Sequence, residues 1–233
     1  MEQRYRLHYA PDNASLVIRL ALLELGQPFD TVLVDRRAHQ QDSAEYRTLN
    51  PNGLIPVLET PDGPVFETAA ILLWLADRHG RLAPASDSPR RATFLKWLFF
   101  ASNTLHADLR ELFYADKYIG PDVDLQSALR AGMTRRLDTH LGILDAACAA
   151  GWSDEGALSV TDIYVACQLR WMALYPATYD RSWFDLTRYP ALHAMAARLE
   201  TRDSTRAAIT AEGLGDAPFT RPDYATPPEG SAT

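Results

Sequence analysis

The sequence is poor in cysteine, in positive charge and in long apolar runs. Its 233 residues include two cysteines, Cys148 and Cys167, which are too few for a disulfide framework and form no Cys-x-x-Cys pair, so we expect a cytoplasmic protein. Lys and Arg total 23 against 30 Asp and Glu, and this net charge of −7 argues against nucleic acid as a partner. The apolar run at 69–76 is far shorter than the roughly 18 residues of a membrane span, and residues 1–9 lack the apolar block of a signal peptide. We therefore expect no membrane partner and no targeting segment.

The remaining composition is that of a folded globular protein. Hydrophobic residues make up 47% of the chain and charged residues 23%, which excludes a disordered or collagen-like chain. At roughly 150 residues per domain, the length predicts one large domain or two small ones.

The first 80 residues alternate between strand and helix patterns. Their hydrophobic period changes between two and 3.6 in the order strand, helix, strand, strand, strand, helix. Ser15 is placed to cap the first helix and Thr68 the last, which Gly80 ends. The turn sequence Pro61–Pro64 predicts a hairpin between two of the strands. We expect a first domain over residues 1–80.

The rest of the chain is predicted to be helical up to a proline-rich tail. Residues 81–89 contain two prolines and no period, as in a linker, and residues 90–212 form an all-helical domain. Two long amphipathic helices come first, with apolar stripes running from Phe94 to Leu112 and from Leu129 to Cys148. A capping box at Ser159–Asp162 opens a buried helix, and Pro190 opens another. The tail, residues 213–233, has too many prolines for a helix and is predicted to be extended or frayed.

Four of these segments together resemble the glutathione transferases. They are residues 9–26, Asn50–Glu59, Glu67–Ile71 and Ser159–Asp162, in that order and spacing. The resemblance implies a thioredoxin-like α/β N-terminal domain, an all-α C-terminal domain, a homodimer, and glutathione bound as cosubstrate between the domains, without a metal. The pattern around residues 7–15 is most similar to the bacterial beta class, but Ala14 stands where that class has a cysteine.

The resemblance assigns the glutathione contacts to two segments. It implies a cis bond between Ile55 and Pro56, which turns the Ile55 backbone towards the cysteinyl part of glutathione. Glu67 and Thr68 stand at a helix N-terminus, where free N–H groups attract the γ-glutamyl carboxylate. A trans proline and an ordinary helix cap are the alternatives. The residue that holds the glycine carboxylate stays open among Arg36, Arg37 and His39.

The reacting sulfur belongs to glutathione, so the protein must supply a donor that stabilises its thiolate. Ser15, Asn13 and Tyr9 lie near the start of the first helix, and we expect Ser15 and then Asn13 to act. Tyr9 shares the inward face of its strand, where it is expected to line the glutathione site. His106 falls where the beta class has a functional histidine and is the third catalytic candidate, although a solvent-facing histidine is an equal alternative.

The second substrate is expected to meet side chains of the helical domain. Asn103 lies three residues before His106, so both can face one cleft, and Tyr114 and Trp171 can form apolar walls unless they are simple core residues.

The predicted function is conjugation or exchange of glutathione on small, electrophilic, apolar substrates. The alternatives are a non-catalytic protein that binds glutathione or hydrophobic ligands, or a glutathione-dependent dehalogenase, isomerase, ether-cleaving enzyme or peroxidase.

Overall fold

The strands form one four-stranded sheet in the computed structural model, which describes residues 4–152 and 157–232. They are β1 (Tyr5–Tyr9), β2 (Phe29–Leu33), β3 (Val57–Thr60) and β4 (Gly63–Phe66), in the spatial order β2-β1-β3-β4. β1 is parallel to β2 and antiparallel to β3, and β3 pairs with β4 as the predicted hairpin. This is the sheet of a thioredoxin-like domain.

The described part of the chain also contains the following helices, in chain order: α1 (Ser15–Leu25), α2 (Ala44–Leu49), α3 (Thr68–His79), α4 (Arg91–Phe100), α5 (His106–Phe113), α6 (Ala115–Ile119), α7 (Val123–Ala150), α8 (Val160–Leu174), α9 (Pro190–Glu200) and α10 (Asp203–Glu212). α1 to α3 accompany the sheet, and α4 to α10 form the helical domain. Helix α10 lies within the predicted helical domain, although no individual helix was predicted there. No helix in the described ranges is both long and apolar enough to cross a membrane.

Two predicted helix caps are wrong by one residue. α1 begins at Ser15 itself, because Ala14 is already in the right-handed helical region, and no side chain caps that end. α3 likewise begins at Thr68, and the preceding Glu67 has a positive φ of 69° that turns the chain out of the hairpin. The predicted end of α3 is confirmed, since Gly80 adopts the left-handed conformation that glycine accommodates easily.

The first long helix of the helical domain is interrupted, contrary to expectation. Residues Ala101–Leu105 form a π-helical segment between α4 and α5. The predicted stripe from Phe94 to Leu112 is nevertheless buried. The interruption therefore changes the helical spacing locally without exposing the apolar face. The side-chain amide of Gln168 donates to the Ala101 carbonyl at 2.8 Å, which supplies a partner at the start of this segment.

The capping box of α8 is present as predicted. The Ser159 side chain accepts from the Asp162 backbone, while the Asp162 carboxylate accepts from the Ser159 N–H at 2.8 Å. Pro190 is the first residue of α9, also as predicted. The single helix α7 extends over the second predicted stripe, of which Leu137, Leu141 and Leu144 are fully buried.

The tail forms no helix within its described residues and contacts the rest of the chain at several points. The Phe219 side chain is buried, and the Thr226 N–H donates to the Gly213 carbonyl at 2.9 Å. The fully buried Arg170 guanidinium donates to the carbonyls of Leu214, Pro218 and Asp223. One cation on α8 therefore holds three successive parts of the tail, and the tail returns to the sheet instead of fraying.

Candidate functional site

The candidate site lies where the C-terminal end of β1, the N-terminal end of β3 and the start of α3 meet α5 and α8. The Ile55–Pro56 bond is cis, as the resemblance implied. Its backbone is held from behind, because the Tyr46 hydroxyl and the Asn50 amide both donate to the Leu54 carbonyl, at 2.9 and 2.8 Å. Two buried polar side chains thus fix the backbone that was predicted to meet the cysteinyl group of glutathione.

The start of α3 presents one exposed and one buried side chain. Glu67 is exposed, whereas Thr68 is buried. Free backbone N–H groups of the first helical turn lie beside both, and such groups favour an anion. The arrangement can hold a carboxylate at the helix end and an ammonium group at Glu67.

Tyr164 joins the start of α3 to His106 in the helical domain. Its hydroxyl lies 2.6 Å from His106 Nδ1. Burial raises the pKa of Tyr164, and its hydrogen bonds with Ser102 and Thr68 partly offset this. Tyr164 therefore stays protonated, and its position lets one hydroxyl connect side chains from both domains.

His106 is uncharged at neutral pH in this setting. Burial, with a smaller contribution from the nearby Arg110, lowers the pKa of His106 to about 4. Because the protonated Tyr164 hydroxyl can donate to His106 Nδ1 at 2.6 Å, we assign the imidazole hydrogen to Nε2. His106 is then a neutral N–H donor.

Asn103 and Trp171 flank His106 in different ways. Asn103 is exposed on the π-helical segment, so the simple helical spacing that would place it beside His106 does not apply. Trp171 is buried, and its ring packs on the imidazole with centroids 5.6 Å apart. Trp171 is thus placed as support for His106 and as part of the core.

The loop after β1 does not place Ser15 as the sequence suggested. The Ser15 hydroxyl is fully buried, donates to the Ala10 carbonyl at 2.9 Å and accepts from the Ala10 N–H at 3.3 Å. Asn13 is only partly buried, and its carbonyl oxygen accepts from the Ala14 N–H at 2.7 Å. Because the Asn13 side-chain oxygen is engaged in this way, its NH₂ group remains as a donor for a ligand.

A buried ionic cluster fixes the same loop. Asp12, with a positive φ of 48°, forms a bidentate pair with Arg170 at 2.7 and 2.9 Å and also accepts from the Tyr175 hydroxyl at 2.8 Å. The Asp12 N–H donates to Glu212, which also accepts from Arg19 at 2.6 Å. Burial raises the pKa of Glu212, and Arg19 opposes that shift.

Tyr9 lies on the buried face of β1, as its alternation predicted. Its side chain is 3% exposed, and its hydroxyl donates to the Glu229 carboxylate of the tail at 2.5 Å. Burial, followed by this contact with Glu229, raises the pKa of Tyr9. The hydroxyl is thus engaged by the tail.

The three basic candidates after β2 have different surroundings. Arg36 donates to the Ala232 carbonyl at 2.6 Å and lies 3.4 Å from the half-buried Tyr114 hydroxyl. Arg37 is exposed at the mouth of a cavity, and His39, 78% exposed, lies 3.8 Å from Asp42. No cluster of three or more His, Cys, Asp or Glu side chains suited to a metal occurs in residues 4–152 or 157–232.

Sequence reasoning missed Tyr164, Asp12, Arg170 and Glu229. The signal for Tyr164 was a hydroxyl between two apolar residues of α8, and for Arg170 a charged residue in the same buried helix. Their partners are 58 and 158 residues distant along the chain, so no local spacing could identify them.

Comparison with known proteins gives consistent matches along the chain. Residues 14–78 match the glutathione S-transferase N-terminal domain and residues 127–194 the C-terminal domain. Glutathione S-transferase GST-4.5 of Xanthomonas campestris is 27% identical over 217 residues, which cover 90% of this chain and 99% of that protein. Disulfide-bond oxidoreductase YfcG of Escherichia coli is 28% identical over 229 residues, which cover 90% of this chain and 96% of YfcG. The structure of a sphingomonad glutathione S-transferase complexed with glutathione has a TM-score of 0.73 and 32% identity, covering 90% of this chain and all of that one.

Proposed function

Because the chain belongs to the glutathione S-transferase family, we propose that it binds glutathione and transfers it to small, electrophilic, apolar substrates. Ile55 and Pro56 present backbone to the cysteinyl group, and Glu67 and Thr68 hold the γ-glutamyl end. The contact that carries this proposal is that of the Tyr164 hydroxyl with His106 Nδ1 at 2.6 Å, in a position where Thr68 at the start of α3 also influences the Tyr164 hydroxyl. It brings the expected peptide-binding end of α3 and the expected catalytic histidine into one network.

The thiol is activated by donors and not by a protein base. Asn13 and the uncharged His106 donate hydrogen bonds to the sulfur, and the N-terminus of α1 adds a favourable dipole. The Ser15 hydroxyl donates to the Ala10 carbonyl and accepts from the Ala10 N–H. We therefore assign Ser15 a structural role, which is to hold this loop in place. The thiol proton leaves to solvent, the thiolate forms a bond to the electrophilic carbon, and the leaving group departs with its electron pair.

A second candidate function is glutathione-dependent disulfide exchange, which the similarity to YfcG favours. Ala14 cannot form a mixed disulfide, so in that case bound glutathione would itself attack the disulfide substrate and release one thiolate. Passive binding of glutathione or hydrophobic ligands is the outcome if the bound thiol is not activated.

The proposal includes a cytoplasmic homodimer. Two-fold dimers are the commonest closed assemblies, and large apolar side chains are exposed on both domains, for example Leu54 at 37% and Phe99 at 44%. Both cysteines are free, which suits a reducing compartment.

Calorimetry with glutathione tests the binding step. We expect the native protein to bind glutathione and Glu67→Ala to weaken binding by about 1–3 kcal/mol, the scale for losing a charged hydrogen bond. Glu45→Ala, an exposed carboxylate on α2, is the matched control and should bind as the native protein does. Absence of heat from the native protein at millimolar glutathione would remove the basis of the proposal.

A further inference from the structure

The last described residues of the tail are built into the side of the candidate site. Glu229 accepts from the Tyr9 hydroxyl at 2.5 Å, and the Ala232 carbonyl accepts from Arg36 at 2.6 Å. Between them, Gly230 has a φ of +72°, and a Cβ at that position would lie 2.6 Å from Leu33 Cδ1. The tail is therefore attached at the end of β1 and just after β2, and the positive φ of Gly230 favours glycine at that position.

A cavity of about 260 Å³ lies between this part of the tail, Arg37 and the loop before α9. Tail residues from Tyr224 to Ala232 make most of its wall, and Tyr175 and Ala177 close the other side. The Tyr175 hydroxyl donates to Asp12, so the cavity adjoins the loop that we propose activates the thiol. An electrophile held in this cavity would lie next to that loop.

The chemistry of the lining restricts the ligand. The rings of Tyr175 and Tyr224 pack edge to face, with centroids 5.9 Å apart, and their hydroxyls are already bonded to protein groups. They therefore offer apolar ring surface. Within the described residues that line the cavity, Arg37 supplies the charge. A cavity of about 150 Å³ is enough for benzene, so this one has room for a single substituted ring.

We infer that the tail completes the pocket for the second substrate, and that Arg37 selects single-ring electrophiles that carry an anionic group. This inference rests on the proposed function for the identity of the reaction, but the pocket can be tested without turnover. It also assigns Arg37 to the second substrate rather than to the glycine carboxylate of glutathione.

The test is calorimetry with 4-nitrobenzoate and its neutral analogue 4-nitrobenzamide, each with and without saturating glutathione. We expect the native protein to bind the benzoate at least tenfold more tightly than the amide. Arg37→Gln should make the two affinities equal within about twofold and leave the affinity for glutathione unchanged. The control Arg221→Gln removes an exposed arginine of the tail outside the cavity lining and should preserve the discrimination.

A chain that ends after Pro228 tests the role of the tail. It should lose at least tenfold in benzoate affinity, and Glu229→Gln, which keeps the chain length, should lose less. Equal binding of the benzoate and the amide by the native protein would overturn the inference. It would also be overturned if Arg37→Gln lowered the affinity for glutathione and left the affinity for the benzoate unchanged. If glutathione fails to bind while the benzoate discrimination depends on Arg37, the proposed function fails and the pocket assignment stands.

Discussion

His106 should make the protein less stable in mild acid, because the folded state resists protonation of this imidazole. Burial lowers its pKa from the ordinary 6.5 to about 4. In the unfolded chain the same side chain takes up a proton near pH 6.5. The unfolded state therefore binds more protons between pH 6.5 and 4, and the free energy of unfolding falls as the pH falls through that window.

The magnitude follows from the two pKa values. Between pH 7.5 and pH 5, this one residue should lower the free energy of unfolding by about 2 kcal/mol, out of roughly 3 kcal/mol for the full shift. Replacing His106 with Gln removes the titration and keeps a side-chain acceptor for the Tyr164 hydroxyl. Over this pH change, the free energy of unfolding of the variant should thus fall by about 2 kcal/mol less than that of the native protein.

Urea unfolding at the two pH values measures this difference directly. His39→Gln is the control, because His39 is 78% exposed and its loss should leave the native pH dependence in place. If native protein and His106→Gln lose the same free energy between pH 7.5 and pH 5, the surroundings of His106 do not hold it neutral, and its assignment as an uncharged donor fails.

The other predictions concern the buried ion pair, the missing thiol and the assembly. Arg170→Met leaves the Asp12 carboxylate buried without its cation and should lower the free energy of unfolding by about 3–5 kcal/mol; a loss below about 1 kcal/mol in urea would contradict this. Oxidised glutathione should leave no adduct in intact-mass analysis, because burial raises the pKa of Cys148 to about 12 and that of Cys167 well above its ordinary value. Ala14→Cys should gain one glutathionyl group, and an adduct on the native protein would show a reactive cysteine. Light scattering should give twice the monomer mass of 26.0 kDa, whereas a monomer at all concentrations would refute the dimer.

Local patterns predicted most of the elements. The hairpin follows from the turn sequence Pro61–Pro64, the buried stripe of α4 and α5 from its helical spacing, and the start of α8 from the capping box at Ser159–Asp162. Each depends on residues only a few positions apart, so the sequence carries the whole signal. The family resemblance likewise needed only motifs and their order.

The details of the site depend on contacts that spacing does not encode. A serine before an apolar period predicts an N-cap, but the helical conformation of Ala14 moves the helix start by one residue and turns the Ser15 hydroxyl to Ala10. The π-helical segment changes the direction in which Asn103 leaves the helix relative to His106. Because the apolar stripe is not broken, hydrophobic periodicity does not reveal this segment. Prolines excluded a helix in the tail, but its path is set by Arg170, far away in sequence.

The most direct test of the account is the ultraviolet titration of the thiolate of bound glutathione. Stabilisation by Asn13 and His106 should lower the pKa of the bound thiol by at least about one unit, equivalent to 1.36 kcal/mol. Asn13→Ala should raise that pKa back towards its value in free glutathione, whereas Tyr9→Phe should leave it unchanged because Glu229 engages the Tyr9 hydroxyl. A bound thiol with the same pKa as free glutathione would contradict the proposed activation and favour a passive binding protein.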